Sequence, residues 1–277
     1  MDLSAAQIEF FDDNGYLVIN NFFSKATCEK LIERIYWLLD NQQHEIPLTI
    51  FSTKTNEHAQ TDYFLNSGDK IHFFFEPDSF NNEGHLKKPI EKSLNKIGHA
   101  LHDLDPIFQE YSYDLRLKSM CHQLGLQKPS LLQSMYIFKQ PNIGAEVDLH
   151  QDSTYLHAEN SEILGFWFAL EDATIENGCL QVIPSPTSTP LSKKMIRKGN
   201  DIYFENYHRL IWQEKSCIPL EVEQGSIILL HGRLPHKSNA NHSERSRHAY
   251  TLHAIDAAFP YPNSNWLQKP DGLAEWN

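Results

Sequence analysis

Basic residues are in short supply. The chain carries 24 Lys and Arg against 36 Asp and Glu, a formal net charge of −12. That deficit argues against a nucleic-acid partner, because holding a phosphate backbone requires a basic face. It argues more weakly against an anionic membrane surface and leaves room for a local basic pocket. No apolar run approaches the ~18 residues that a membrane-crossing helix needs, so no membrane span is expected. The opening segment, residues 1–11, lacks the basic-then-apolar order of a signal peptide. Cysteine is sparse: Cys28, Cys121, Cys179 and Cys217 lie far apart without a CxxC pair. They read as small buried apolar residues rather than disulfide partners or zinc ligands. Together these absences point to a reduced, cytoplasmic setting. Internal repeats and low-complexity tracts are also missing.

What is present suits a folded globular chain. Of 277 residues, 40% are hydrophobic and 22% charged, enough to bury a large core. The expectation is a single domain over residues 1–277, with a helical N-terminal part (1–128) packed on a β core (129–260). In the first part, Ser4 with Gln7 fits a capping box and Gly15 a helix stop, predicting a helix over 5–14. A strand is predicted over 16–20. Ser24 is placed to cap a second helix whose Leu31, Ile32, Ile35, Leu38 and Leu39 recur at helical spacing. Residues 41–89 are polar and irregular, interrupted by apolar runs at 63–65 and 71–75. Two more helices are predicted over 90–102 and 115–124, the second closed by Gly125.

From Pro129 the texture changes to short β-rich runs at 131–139, 147–150, 164–170, 180–183, 226–230 and 248–255, punctuated by Gly, Pro and Asn. Such runs predict a sandwich or barrel, giving a mostly β fold with flanking helices. Residues 185–216 break the pattern and read as a long functional loop or an insertion.

His150-Gln151-Asp152 and the later His236 form the chemically informative constellation. In an extended segment, side chains at i and i+2 share a side, so His150 and Asp152 can face one centre, with His236 supplying a third ligand. Two imidazoles and a carboxylate make a facial set that leaves coordination positions open. Mixed N/O ligation suits Fe(II) but also tolerates Mn, Co, Ni or Zn. An HxD triplet alone is a weak signal among 15 histidines, and His231 is a rival third ligand. By default His99, His102, His157, His248 and His253 are structural, although His157 could lie near the metal mouth. After His236, the segment 241–250 carries Arg245 and Arg247. An arginine there can bind a carboxylate through its planar fork.

Longer runs point to a family. Residues 61–70 (TDYFLNSGDK), 94–102 (LNKIGHALH), 133–141 (QSMYIFKQP), His150-Gln151-Asp152, 171–180 (EDATIENGCL) and His236-Lys237-Ser238 resemble the phytanoyl-CoA dioxygenase family of Fe(II)- and 2-oxoglutarate-dependent oxygenases. The resemblance spans residues 4–266. It implies a double-stranded β-helix (jelly-roll, cupin-like) core with iron held by His150, Asp152 and His236, and O2 as oxidant. It implies that Arg247, eleven residues past His236, anchors the cosubstrate 2-oxoglutarate, with Arg245 a surface cation. Ser238, Lys96, Met135 and Trp167 match cosubstrate-pocket positions. Their bland alternatives are a turn for Ser238, a solvated helix charge for Lys96, and ordinary core for Met135 and Trp167. Related halogenases replace the carboxylate of the triad, so Asp152 favours hydroxylation. One departure is the turn Pro184-Ser185-Pro186-Thr187, which lacks the family's frequent glycine and histidine and leaves the shape of the following loop open.

Two other function classes fit the residues alone: a metal-dependent hydrolase using the same ligands, and a non-catalytic jelly-roll that binds small molecules. The prime substrate is a small molecule that the sequence does not name. An acyl-CoA would want a basic patch, and Lys193, Lys194, Arg197 and Lys198 offer one, though a solvated charged loop is the favoured reading of them.

Overall fold

A computed structural model describes residues 2–42, 46–53, 61–158, 161–210, 212–270, 272–274 and 276. Parts of the irregular stretch, 43–45 and 54–60, lie outside them. The chain opens with α1 (Ala5–Asn14), begun by the Ser4–Gln7 capping box and ended by Gly15 at φ 75°. Next come β1 (Tyr16–Ile19) and α2 (Lys25–Gln42), whose first turn is capped by Thr27 N–H donating to Ser24 Oγ at 3.1 Å. Short α3 (Asp62–Leu65) and strand β2 (Ile71–Phe75) follow. Then come β3 (Leu94–His99), α4 (Leu101–Leu104), α5 (Pro106–Ser112) and α6 (Leu115–Gln123). The second half supplies β4 (Pro129–Ile137), β5 (Val147–His150), β6 (Leu164–Ala169) and β7 (Leu180–Val182). It continues with β8 (Lys193–Lys198), β9 (Asp201–Asn206) and β10 (Ile218–Leu220). Last are β11 (Ile227–His231), β12 (His236–Ser238) and β13 (Ala249–Asp256).

The strands make a seven-stranded sheet in the order β1-β11-β6-β13-β4-β3-β2 and a four-stranded sheet in the order β10-β7-β12-β5. All named strand pairs are antiparallel. This is the double-stranded β-helix expected of the core. In β6, alternation sends Phe166 and Phe168 into the core shared with Leu31, Ile35, Phe108 and Leu117 of the helices. Trp167 and Ala169 point the other way, toward Leu180 and Val182 of the smaller sheet. Strands covered on both faces read as unbroken apolar runs, which is why all six residues of β6 are buried.

Three expectations need correcting. Residues 90–102 are not one helix: a 3-10 turn at Ile90–Lys92 leads into β3, which sits between β2 and β4, and only Leu101 and His102 at the end of the range are helical, in α4. Leu94, Ile97 and Leu101 recur at helical spacing, but pairing on both sides decides the backbone. Lys96 therefore lies on a sheet, not on a helix. The part expected to be mainly helical also lends β1, β2 and β3 to the large sheet. Finally, Cys28, Cys121 and Cys179 are buried and free, but Cys217 is free and only half-buried, at the entrance to β10.

Residues 185–216 contain the β8–β9 hairpin, a two-stranded unit separate from both sheets. Its four cations diverge. Arg197 is spent on the carbonyls of Leu65 and Trp266, at 2.6 and 3.0 Å. Lys194 lies over the Tyr207 ring and Lys193 over Phe204. Among the described residues no helix is long and apolar enough to cross a membrane.

Candidate metal centre

The register of β12 against β5 sets His236 opposite His150, with ring centroids 4.2 Å apart. Gln151 is extended, at φ −113° and ψ 134°, so Asp152 turns to the same side as His150. The His150 Nδ1–H donates to the Asp148 carbonyl at 2.7 Å, and the His236 Nδ1–H donates to the Leu234 carbonyl at 3.0 Å. A carbonyl can only accept, so each ring carries its proton on Nδ1 and keeps a free lone pair on Nε2. These Nε2 atoms lie 3.5 Å (His150) and 3.6 Å (His236) from Asp152 Oδ1. One ligand atom from each of the three residues falls within 4.8 Å of the others. Atoms each bonded at roughly 2.1 Å to one ion would stand roughly 3–4 Å apart, so the three residues could hold a metal ion.

Their protonation states suit that use. Burial alone would raise the Asp152 carboxyl, but the imidazoles of His236 and His253 beside it hold it well below the usual carboxylate range. Burial, and then the neighbouring His150, push the His236 imidazole down to about 4. Metal binding needs a carboxylate and neutral imidazoles. His253 Nε2 approaches Asp152 Oδ2 at 3.2 Å. Gly165 of β6 lies beside the same oxygen, where a Cβ would stand 3.3 Å away.

The triad opens on a cavity of about 290 Å³. Arg247, Ser238, Lys96, Met135 and Trp167 all line it, so every pocket residue expected from the sequence reaches one place. Arg247 is 2% exposed. Its Nε and Nη1 have no hydrogen-bond partner among the described residues, and its Cζ sits 5.1 Å from the centroid of the Trp167 ring. Burial pulls its guanidinium down to about 10, so it stays charged at neutral pH. A buried charge without a partner is costly, and this one is placed to receive an anion. Lys96 is buried, 3.5 Å above the Phe51 ring and 3.7 Å from Met135 Sδ. Burial pushes its amine down to about 7.

The rival residues lie elsewhere. His231 Nε2 faces Glu162 at 3.2 Å and is not part of the ligand group. Arg245 is exposed. His157 is buried and its backbone pairs with Asn265. Of the four hairpin cations, Lys193 lines the cavity and the others do not. Lys139, Glu76 and Tyr155 at the site carried no expectation, and His253, expected to be structural, also lies there. His253 was findable, because alternation along the last strand puts it on the face of Arg247 and Thr251. Lys139 lies within the resembling run 133–141, but Glu76 and Tyr155 carry no comparable signal.

The family model for phytanoyl-CoA dioxygenase (PhyH) matches residues 11–249. The mouse protein phytanoyl-CoA dioxygenase domain-containing protein 1 is 43% identical over 279 residues, covering 96% of this chain and 95% of the mouse protein. The Arabidopsis thaliana phytanoyl-CoA dioxygenase is 40% identical over 268 residues, covering 96% and 94%. Among solved structures, EctD from S. alaskensis with bound Fe has a TM-score of 0.63 at 18% identity, covering 97% of this chain and 82% of that one. The same enzyme with 2-oxoglutarate and 5-hydroxyectoine gives a TM-score of 0.62 at 20% identity, covering 94% and 78%.

Proposed function

Because the chain belongs to the phytanoyl-CoA dioxygenase family, we propose that it is an Fe(II)- and 2-oxoglutarate-dependent dioxygenase acting as one domain, and that it hydroxylates a small molecule. The observation that carries the reading is the pairing, in one cavity, of the His150–Asp152–His236 group with the buried Arg247 guanidinium, whose Nε and Nη1 have no hydrogen-bond partner among the described residues. A hydrolase using the same ligands has no need of that cation.

In this reading His150, Asp152 and His236 hold the iron. When bound, the iron and its 2-oxo acid supply the oxidative decarboxylation, with O2, that yields succinate, carbon dioxide and a hydroxylated product. The protein's own share is positioning and exclusion of water. Arg247 takes the far carboxylate of 2-oxoglutarate in a bidentate grip, and Trp167 under the guanidinium keeps its plane fixed. Ser238 donates to the same carboxylate. Lys96 and Met135 border the cosubstrate from β3 and β4. His253 holds Asp152 in place from the last strand, as an outer partner commonly does for a metal-ligating carboxylate.

The substrate enters past Tyr155, Lys193 and Phe204, which line the cavity together. The hairpin cations do not converge there, which favours a compact substrate over an acyl-CoA thioester held by its phosphates. The free cysteines are consistent with a cytoplasmic setting.

The test is anaerobic addition of Fe(II) and 2-oxoglutarate to the purified protein. The expected result is the weak visible charge-transfer band of the iron–2-oxo-acid chelate, lost in His150→Ala and weakened in Arg247→Ala. Iron binding without a band would transfer the protein to the hydrolase class. No metal binding would leave a non-catalytic binding module.

A further inference from the structure

Lys139 lies just past the end of β4 and is 2% exposed. Its backbone sits at φ 42°, in the left-handed region that a side chain rarely adopts. Strain of this kind persists where neighbours over-determine it, and it concentrates at functional sites. Here the neighbours are explicit. The Lys139 carbonyl accepts from Asn241 Nδ2 at 2.9 Å and from the Arg247 N–H at 3.3 Å. The side chain runs past Gly178, where any Cβ would come within 2.9 Å of Lys139 Cε. Two donor bonds then fix the ammonium, one to the Ala145 carbonyl at 2.6 Å and one to Ser238 Oγ at 2.9 Å.

The direction of that second bond matters. As an ammonium Lys139 only donates, so Ser238 Oγ then accepts and its own proton points elsewhere. Ser238 and Lys139 both line the cavity with Arg247. Arg247 shares this end with Lys139 and Glu76, a buried pair in which burial pulls the Lys139 amine down and pushes the Glu76 carboxyl up. Glu76 Oε2 accepts from Asn95 and Ala145, and its Oε1 has no partner among the described residues. Ionised or neutral, that pair cancels, and the Arg247 charge is left in excess, suited to a further carboxylate.

We infer that Lys139 is a positioning residue for the far carboxylate of the cosubstrate: by donating to Ser238 Oγ it turns the serine proton toward that carboxylate, and in its ammonium form it adds to the Arg247 charge there. This rests on the 2-oxoglutarate reading above.

The experiment is calorimetric binding, without oxygen, to the Mn(II)-loaded protein. The ligands are 2-oxoglutarate and 2-oxobutyrate, a 2-oxo acid without a second carboxylate. For Lys139→Met the expected result is at least a tenfold loss of affinity for 2-oxoglutarate, with 2-oxobutyrate and Mn(II) affinities unchanged. In a Ser238→Ala background the same substitution should cost much less, because the two residues act in series. Equal 2-oxoglutarate affinity in Lys139→Met and wild type overturns the inference. So does an equal loss for both ligands, which marks a structural role, and so does full additivity with Ser238→Ala. If Lys139→Met does not fold, Lys139→Gln keeps N–H donors and drops the charge. It should lose about threefold for 2-oxoglutarate alone, and wild-type affinity for both ligands would count against the charge. Failure of the wild-type protein to bind 2-oxoglutarate at all is a different result, and it removes the oxygenase reading itself.

Discussion

Gly165 sets the tolerance of the candidate metal centre. Its missing side chain leaves the Asp152 carboxylate 3.3 Å from where a Cβ would be, with Leu230 Cβ at 3.4 Å on the other side. Gly165→Val should displace the carboxylate and weaken Mn(II) or Fe(II) affinity by about tenfold or more, as loss of an outer partner commonly does. Titration calorimetry checks this, and unchanged affinity would show that Asp152 is seated by other contacts. At this scale the sequence was readable where a short spacing carried the geometry: His150 and Asp152 face one centre because Gln151 is extended between them. His253 was passed over as structural although it lies on the Arg247 face of β13. Lys96 needed its strand to be recognised first. Glu76 could not have been found, since it reaches the site from a turn distant in sequence.

Among the elements, the β8–β9 hairpin depends on the middle residue of the HxD triplet. Gln151 is fully buried. Its Nε2 donates to the carbonyls of Pro190 at 3.1 Å and Arg233 at 2.6 Å, and its Oε1 accepts from the N–H and hydroxyl of Ser192 at 2.9 and 3.0 Å. One side chain thus ties the root of the hairpin to the loop before His236. Gln151→Leu leaves these groups unpaired and should destabilise the protein by about 2–4 kcal/mol. Limited proteolysis at the turn near Gly199 should speed up, and an unchanged cleavage rate would show that the hairpin is held elsewhere. The hairpin was illegible because β9 is almost wholly exposed and lacks the alternation that marks a half-buried strand. β3 was misread for the opposite reason. Burial on both faces erases the period-two pattern, and its chance apolar spacing imitates a helix.

Taken as a whole, the molecule buries neutral histidines away from the metal site, and this gives it a defined acid limit. Burial, with Lys269 adding to it, pushes His102 down to about 3. Burial likewise takes His248, which pairs with the Tyr136 hydroxyl at 2.7 Å, down to about 4. Both folded values lie below the unfolded value of roughly 6.5. Between those limits the unfolded chain binds more protons, so stability is full above about pH 6.5 and falls as pH drops, by roughly 1.4 kcal/mol per pH unit for each group. Melting temperatures recorded from pH 7 to 4.5 should decline, and His102→Gln should flatten the slope. A parallel slope in the variant would assign the acid sensitivity to other groups. At this scale the β core and its family were legible, because whole runs carried the resemblance. The strand order was not, because it joins segments from opposite ends of the chain.

That joining has a consequence in time. The β1 strand pairs with β11, Tyr16 opposite Leu230, and the Gly15 carbonyl accepts from the His231 N–H at 2.8 Å just ahead of the loop to His236. During synthesis at roughly 5–20 residues per second, β1 waits roughly 10–40 s for its partner to be made. Through that interval an apolar strand has no native neighbour, and the candidate metal-binding group is incomplete until the same late stretch emerges. An apolar strand left unpaired for that long can pair with another copy of the chain instead, so the interval before β11 emerges is when the newborn chain is most open to aggregation.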